Sequence, residues 1–117
     1  GRDLIERSLA AEWNAALVAL YGDIEKLETA KRQVEARARI ERAERWLREH
    51  AEDPLLLACL GRLCMAAELW GKAQNYLEAS LSFGPSRAAH LELARLAERE
   101  GRVAEAQKHF RSAGEMP

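Results

Sequence analysis

Apolar and small residues recur at three- and four-residue intervals along almost the whole chain, a spacing that places them on one face of an α-helix. The pattern predicts an all-α fold of about six helices. We expect these helices at residues 12–21, 29–50, 54–68, 71–83, 87–100 and 103–113. Leu4, Ile5 and Leu9 follow the same spacing before them, and predict the tail of a helix that belongs to an earlier unit of a longer chain.

Capping and turn residues separate the predicted helices. Asp53 is placed to accept hydrogen bonds from the free N–H groups of the helix that Pro54 begins. Gly84, in the left-handed conformation, and Pro85, which cannot continue the hydrogen-bond ladder, are expected to end the helix at 71–83. Gly101 is expected to make the tight turn between the last two helices.

Two segments of the chain align with each other at a fixed offset of 33 residues. The matched residues are small or apolar: Leu60 with Leu93, Gly61 with Ala94, Ala73 with Ala106, Leu77 with Phe110 and Ser80 with Ala113. Small residues at such positions allow the two helices of a hairpin to approach closely. The alignment predicts two successive helix hairpins, in which Leu77 and Phe110 are both buried.

This register resembles the tetratricopeptide repeat. Its signature positions are matched by Leu60, Gly61, Ala73, Leu77 and Pro85, and in the next copy by Leu93, Ala94, Gly101, Ala106, Phe110 and Ala113. The usual aromatic residues of its first helix are replaced by Leu57 and Cys64 in one copy and by His90 and Ala97 in the other. The resemblance implies an α-solenoid with a right-handed superhelix, made of a divergent unit at 1–52 and repeat units at 53–86 and 87–117.

Residues 42–105 carry a narrower resemblance. The segments are AERWL at 43–47, LGRLC at 60–64, LWGKAQNYLEASL at 69–81 and HLELARLAEREG at 90–101. Together they resemble the C-terminal half of the HemY proteins of proteobacteria. The resemblance implies a soluble domain on the cytoplasmic face of the inner membrane, held there by N-terminal spans and associated with late protohaem synthesis. It does not imply protoporphyrinogen oxidase, a flavoenzyme whose Gly-rich dinucleotide-binding loop this sequence lacks.

The charge balance argues against nucleic acid as a partner. Lysine and arginine number 18 against 19 aspartates and glutamates, so no overall field attracts polyanions. The predicted helix at 29–50 is locally basic, but Glu41 precedes Arg45 and Glu44 precedes Arg48 by four residues, which favours ordinary ion pairs on a hydrated surface. The apolar runs are shorter than the roughly 18 residues of a membrane span. We therefore expect membrane attachment only through segments outside this chain.

No group of residues predicts catalysis or a cofactor. Cys59 and Cys64 lie about 140° apart around one predicted helix, so they cannot pair and are expected to pack as small apolar residues. Neither Cys64 nor Ser80 has a recognisable base beside it. The other possible metal or haem ligands, which also lack ligand spacing, are His50, His90, His109, Met65 and Met116. We expect no enzyme activity, no metal and no cofactor.

The candidate binding residues lie on the first helix of each hairpin, which lines the concave surface of tetratricopeptide arrays. They are Ala58, Arg62, Met65 and Ala66, then Leu91, Arg95, Glu98 and Arg99. Arg62 and Arg95 share one register position, so two guanidinium groups could bind carboxylates in one groove. The alternative is that both arginines are hydrated surface residues. Trp46 and Trp70 are expected to fill gaps between repeats.

The sequence therefore favours a protein-protein interaction scaffold. Its expected guest is a helix or an extended acidic segment, and the HemY resemblance suggests an enzyme of the haem pathway as the partner. Two alternatives stay open. One is direct carriage of haem or porphyrin in an apolar pocket, with His90 or Cys64 as a ligand. The other is an architectural module that associates with a second copy of itself.

Overall fold

The computed structural model describes residues 1–24 and 28–117. These residues form helices and no strand, so the predicted all-α class is confirmed. The helices are α1 (Arg2–Ala11), α2 (Ala15–Tyr21), α3 (Thr29–Trp46), α4 (Pro54–Ala66), α5 (Trp70–Phe83), α6 (Arg87–Arg99) and α7 (Val103–Gly114). Within the described ranges, no helix combines the length and the apolar character needed to cross a membrane.

Two of the predicted helix bounds are wrong by three residues or more. The described part of the chain has seven helices, which are the six predicted helices and α1, at the place of the predicted helix tail. The predicted helix at 12–21 begins only at Ala15, where the Asn14 side chain accepts hydrogen bonds from two N–H groups of the first turn. The predicted helix at 29–50 ends at Trp46, and hydrogen-bonded turns follow it.

Two helix hairpins, α4–α5 and α6–α7, repeat the same backbone geometry 33 residues apart. Asp53 caps α4 by accepting a hydrogen bond from a first-turn N–H group at 2.9 Å, and its counterpart Ser86 caps α6 by accepting one from Ala89 at 3.0 Å. Each hairpin turns through one residue with positive φ, Glu68 at 60° and Gly101 at 77°. The 33-residue offset between the matched side chains therefore also holds for the helix caps and for the turns of the two hairpins.

Gly84 ends α5 in a different way from the one predicted. Its φ is 173°, which is extended backbone and not the left-handed conformation. A Cβ atom at this position would lie 3.2 Å from Cγ of Pro54, at the start of α4. Nearby, the Ser80 hydroxyl donates a hydrogen bond to the Pro54 carbonyl at 2.7 Å. Glycine is favoured here by the close approach of the two helix ends, and not by backbone conformation.

The contact between Gly61 and Leu77 sets the distance between α4 and α5. A Cβ atom on Gly61 would overlap with Cγ and Cδ2 of Leu77, so alanine does not fit unless the leucine moves. Leu77 is 0% exposed. It packs in a cluster with Ala58, Ala89 and Leu93, so α6 covers the side of the first hairpin that Leu77 occupies.

Phe110, the counterpart of Leu77 in the second hairpin, is not buried as predicted. It is 38% exposed, and Val103 on the same helix is 61% exposed. The helix α7 buries only the small residues Ala106 and Ala113. The expectation fails because α6 covers α5, whereas no helix of the described residues takes the equivalent place beyond α7.

Aromatic side chains join the N-terminal helices to the first hairpin. Trp13 stacks on His50 with ring centroids 3.8 Å apart, and its edge meets Trp46 at 5.5 Å. Tyr21 is fully buried and lies 5.2 Å from Trp46. The Trp13 indole also donates a hydrogen bond to the carboxylate of Asp53 at 3.0 Å. Trp46 is therefore half-buried and packs against the core.

Some of the charged side chains of α3 form ion pairs. Arg45 lies 3.1 Å from Glu41, the pair that the four-residue spacing predicts. The predicted pair of Glu44 with Arg48 is wrong, because the Glu44 carboxylate lies 3.0 Å from Lys72 of α5 instead. A facing helix offers that carboxylate a cation which local spacing does not reveal.

Gly61→Ala is expected to lower the free energy of unfolding by about 1 to 3 kcal/mol, because the added methyl group overfills the contact with Leu77. Leu77→Ala is expected to cost about 2 to 5 kcal/mol, since this side chain is fully buried. The double variant is expected to lose less than the sum of both costs, because the truncated leucine makes room for the methyl group. Urea unfolding followed by circular dichroism measures all three, and strictly additive costs would contradict the contact.

Phe110→Ala is expected to cost less than Leu77→Ala, although phenylalanine is the larger residue. Its partly exposed site leaves no enclosed cavity after truncation, so only the transfer of apolar surface is lost. The same urea titration compares the two variants. Equal losses of stability would mean that Phe110 is covered as fully as Leu77.

Candidate interaction groove

A groove of about 460 Å³ lies between the start of α3, the second half of α4, and α6. Three arginines, two glutamates and an apolar patch form its walls. Its described lining residues, which define the arginine groove, are Gly22, Ile24, Thr29, Arg32, Gln33, Arg62, Met65, Ala66, Glu68, Trp70, Glu92 and Arg95.

The repeated register brings Arg62 and Arg95 to the same groove. Each follows directly after a small buried residue, Gly61 or Ala94, on the first helix of its hairpin. One step along a helix turns the side chain by about 100°, so both arginines point away from those buried positions and toward the space between α4 and α6. Four of the candidate residues lie here together, the two arginines with Met65 and Ala66.

Glu92 occupies the space between these two arginines. It is only 6% exposed, and its Oε1 atom accepts a hydrogen bond from Arg95 Nη1 at 2.8 Å. The same oxygen lies 3.9 Å from Arg62 Nε, which is at the limit of an ion pair. The groove therefore does not present two bare guanidinium groups, because an internal carboxylate holds one closely and the other loosely.

Arg32 adds a third guanidinium group from α3. Its Nε atom is buried, and no described residue accepts a hydrogen bond from it. A buried donor without an acceptor costs stability, so native proteins rarely leave one unsatisfied unless a ligand or water completes it. Arg62 is better satisfied, because its Nη1 atom donates to the Ala19 carbonyl at 3.4 Å.

The apolar part of the groove comes from the turn between α4 and α5. Met65 and Ala66 end α4, and Trp70 begins α5. The guanidinium carbon of Arg99 lies 4.1 Å from the centroid of the Trp70 ring, a cation–π contact that joins α6 to the first hairpin. Trp70 therefore contacts the following hairpin, as expected, and it also lines the groove, which was not expected.

Four candidates from the sequence take other places. Arg99 stacks on the Trp70 ring and is not among the described residues that line the groove. Ala58 is buried in the cluster around Leu77, because its side of α4 faces the hairpin partner and α6. Leu91 and Glu98 belong to α6 but are not among the described residues that line the groove.

Sequence reasoning missed three contributors to the groove. Glu92 could have been found, since the 33-residue offset pairs it with Cys59, and a carboxylate at a core position needs a cation nearby. Arg32 and Trp70 gave no such signal, because only the packing of α3 and α5 against α4 brings them to the groove.

The cysteines are structural, as predicted. Both are free thiols with less than a twentieth of their surface exposed. Burial raises the pKa of Cys59 to about 12 and that of Cys64 to about 11, so both stay protonated at neutral pH. Among residues 1–24 and 28–117, no three or more histidine, cysteine, aspartate or glutamate side chains gather as metal ligands.

Comparisons with known proteins identify no relative of this chain. No family model, no curated protein and no solved structure matches the chain. The function is therefore inferred from the groove, together with the resemblances that the sequence carries.

Proposed function

We propose that this chain is a protein-protein interaction scaffold of tetratricopeptide type, without catalytic residues of its own, whose arginine groove binds an acidic segment of another protein. Following the HemY resemblance, that partner is an enzyme of late protohaem synthesis, and the domain works at the cytoplasmic face of a bacterial inner membrane. The observation that carries the proposal is the convergence of three guanidinium groups on one groove.

The charge of the groove favours an anionic guest. Among the described lining residues, three arginines (Arg32, Arg62 and Arg95) stand against two glutamates (Glu68 and Glu92), so this part of the lining carries an excess of positive charge. Carboxylates form strong, often bidentate hydrogen bonds with guanidinium groups. A guest carboxylate beside Arg32 would also accept the hydrogen bond that the buried Nε atom does not make to any described residue.

The apolar patch gives the guest a second kind of contact. Trp70, Met65 and Ala66 lie next to the arginines, and the Trp70 ring is held in place by Arg99. Tryptophan and arginine are the residues that most often contribute a large share of binding energy at interfaces. An acidic segment that also carries an apolar side chain fits both parts of the groove.

The alternative of freely hydrated arginines is less consistent with Arg62. Its side chain is only 22% exposed, and it reaches both Glu92 and the Ala19 carbonyl. Such contacts hold the side chain over the groove before any guest arrives, so less conformational entropy is lost on binding. Arg95, at 51% side-chain exposure, is held by Glu92.

The first test compares tagged full-length protein with an Arg62→Ala/Arg95→Ala variant in co-purification from membranes. The groove variant is expected to lose a specific partner, with at least about tenfold weaker affinity, because truncating interface arginines commonly costs more than 1.4 kcal/mol. The matched control is Arg37→Ala/Arg48→Ala, which removes two exposed arginines outside the groove and is expected to retain that partner. Equal retention by all three proteins would contradict binding at the groove.

Arg32→Met separates binding from folding. Truncating Arg95 removes the 2.8 Å hydrogen bond that it donates to the buried Glu92, which lowers stability as well as affinity. Arg32→Met removes a donor that lacks an acceptor, so we expect unchanged or higher stability in urea and weaker binding of the acidic segment in a fluorescence anisotropy titration. Unchanged affinity would remove Arg32 from the proposed site.

A further inference from the structure

The second hairpin brings two histidines together far from each other in sequence. His90 lies near the start of α6 and His109 near the middle of α7, and their Nδ1 atoms are 3.0 Å apart. The ring centroids are 5.3 Å apart, with the ring planes at 41°. Neither residue is among the described residues that line the arginine groove.

A contact between two Nδ1 atoms at this distance defines the protonation of the pair. One ring must donate its Nδ1–H group and the other must accept with its Nδ1 lone pair, so the accepting ring is neutral. If the shared proton leaves Nδ1 and solvent supplies one to Nε2 of the same ring, both rings present an Nδ1 lone pair that can bind a metal ion.

Two such lone pairs are a chelating arrangement for a metal ion. Metal–imidazole bonds of about 2.1 Å to two nitrogens 3.0 Å apart enclose an angle of about 90° at the metal. That angle is the cis angle of square-planar and octahedral coordination, and it is smaller than the tetrahedral angle that Zn²⁺ adopts. Imidazole nitrogens are also preferred ligands of Cu²⁺ and Ni²⁺.

We propose that His90 and His109 form a two-imidazole site for a divalent transition-metal ion of the Ni²⁺ or Cu²⁺ type. The chain supplies two cis ligands, and water or a donor group from a bound molecule completes the coordination. The inference is independent of the proposed interaction groove.

The backbone around the pair is suited to hold this geometry. Both histidines are on regular helices, and the buried residues Ala94, Ala97 and Ala106 let those helices lie close together. Side chains placed on helices keep their positions better than side chains on loops. A bound ion would link α6 to α7, whose apolar residues are otherwise only partly covered.

The test uses NiCl₂ as the probe and thermal unfolding of the full chain, with isothermal titration calorimetry for stoichiometry. Wild type is expected to bind one Ni²⁺ and to unfold at a higher temperature with it, because an ion that binds only the folded state stabilises that state. His90→Gln and His109→Gln are each expected to bind at least tenfold more weakly and to lose the shift in unfolding temperature. Chelation by EDTA should reverse the shift in wild type.

His50→Gln is the matched control, since His50 is the third histidine of the chain and stacks on Trp13, outside the second hairpin. The His50→Gln variant is expected to keep the affinity for Ni²⁺. Paramagnetic broadening of the His90 and His109 imidazole signals in wild type, with the His50 signal unaffected, tests the site without any substitution. Equal Ni²⁺ affinity in His109→Gln and wild type, or broadening that spares both rings, would overturn the proposal.

Discussion

The close contact between Gly61 and Leu77 is the constraint on which the rest of the structure depends. Because Gly61 has no side chain, Leu77 of α5 packs directly on the backbone of α4, and the first hairpin closes around it. The next residue along α4 is Arg62, which therefore turns out of the hairpin and into the groove. The same closure places Trp70, at the start of α5, beside the end of α4. The packing contact with α5 and the candidate site thus lie on two different faces of α4.

The second hairpin repeats this backbone but fills two matched positions differently. Phe110 takes the place of Leu77, and its exposure shows that the repeated register does not by itself bury a side chain. Glu92 takes the place of Cys59, so a carboxylate stands where the first hairpin has a thiol. That carboxylate remains buried because Arg95 donates to it at 2.8 Å. The departures from the repeat therefore create the charge pattern that distinguishes the groove.

Features fixed by neighbouring residues could be predicted from the sequence, whereas features fixed by distant packing could not. The cap at Asp53 and the turn at Gly101 depend on local backbone geometry, and both were predictable. Gly84 and Phe110 depend on what lies opposite them, and local rules gave the wrong answer for both. At the groove, the register anticipates the residues of α4 and α6 that share one face: Arg62, Met65, Ala66 and Arg95. The residues of α3 that line the groove are brought there by tertiary packing alone, which the register does not show.

The three arginines of the groove are held differently, and this sets their roles toward a guest. Arg95 forms a short ion pair with the buried carboxylate of Glu92, so a guest that withdrew Arg95 would break a charge-assisted bond in a poorly solvated place. Arg62 is 3.9 Å from the same carboxylate and 3.4 Å from a carbonyl, so a guest can recruit it without breaking a strong bond. The Arg32 Nε atom has no hydrogen-bond acceptor among the described residues, so binding a guest there breaks no such bond. Within the proposed site, Arg95 therefore positions Glu92, while Arg62 and Arg32 are the groups that an acidic segment would contact.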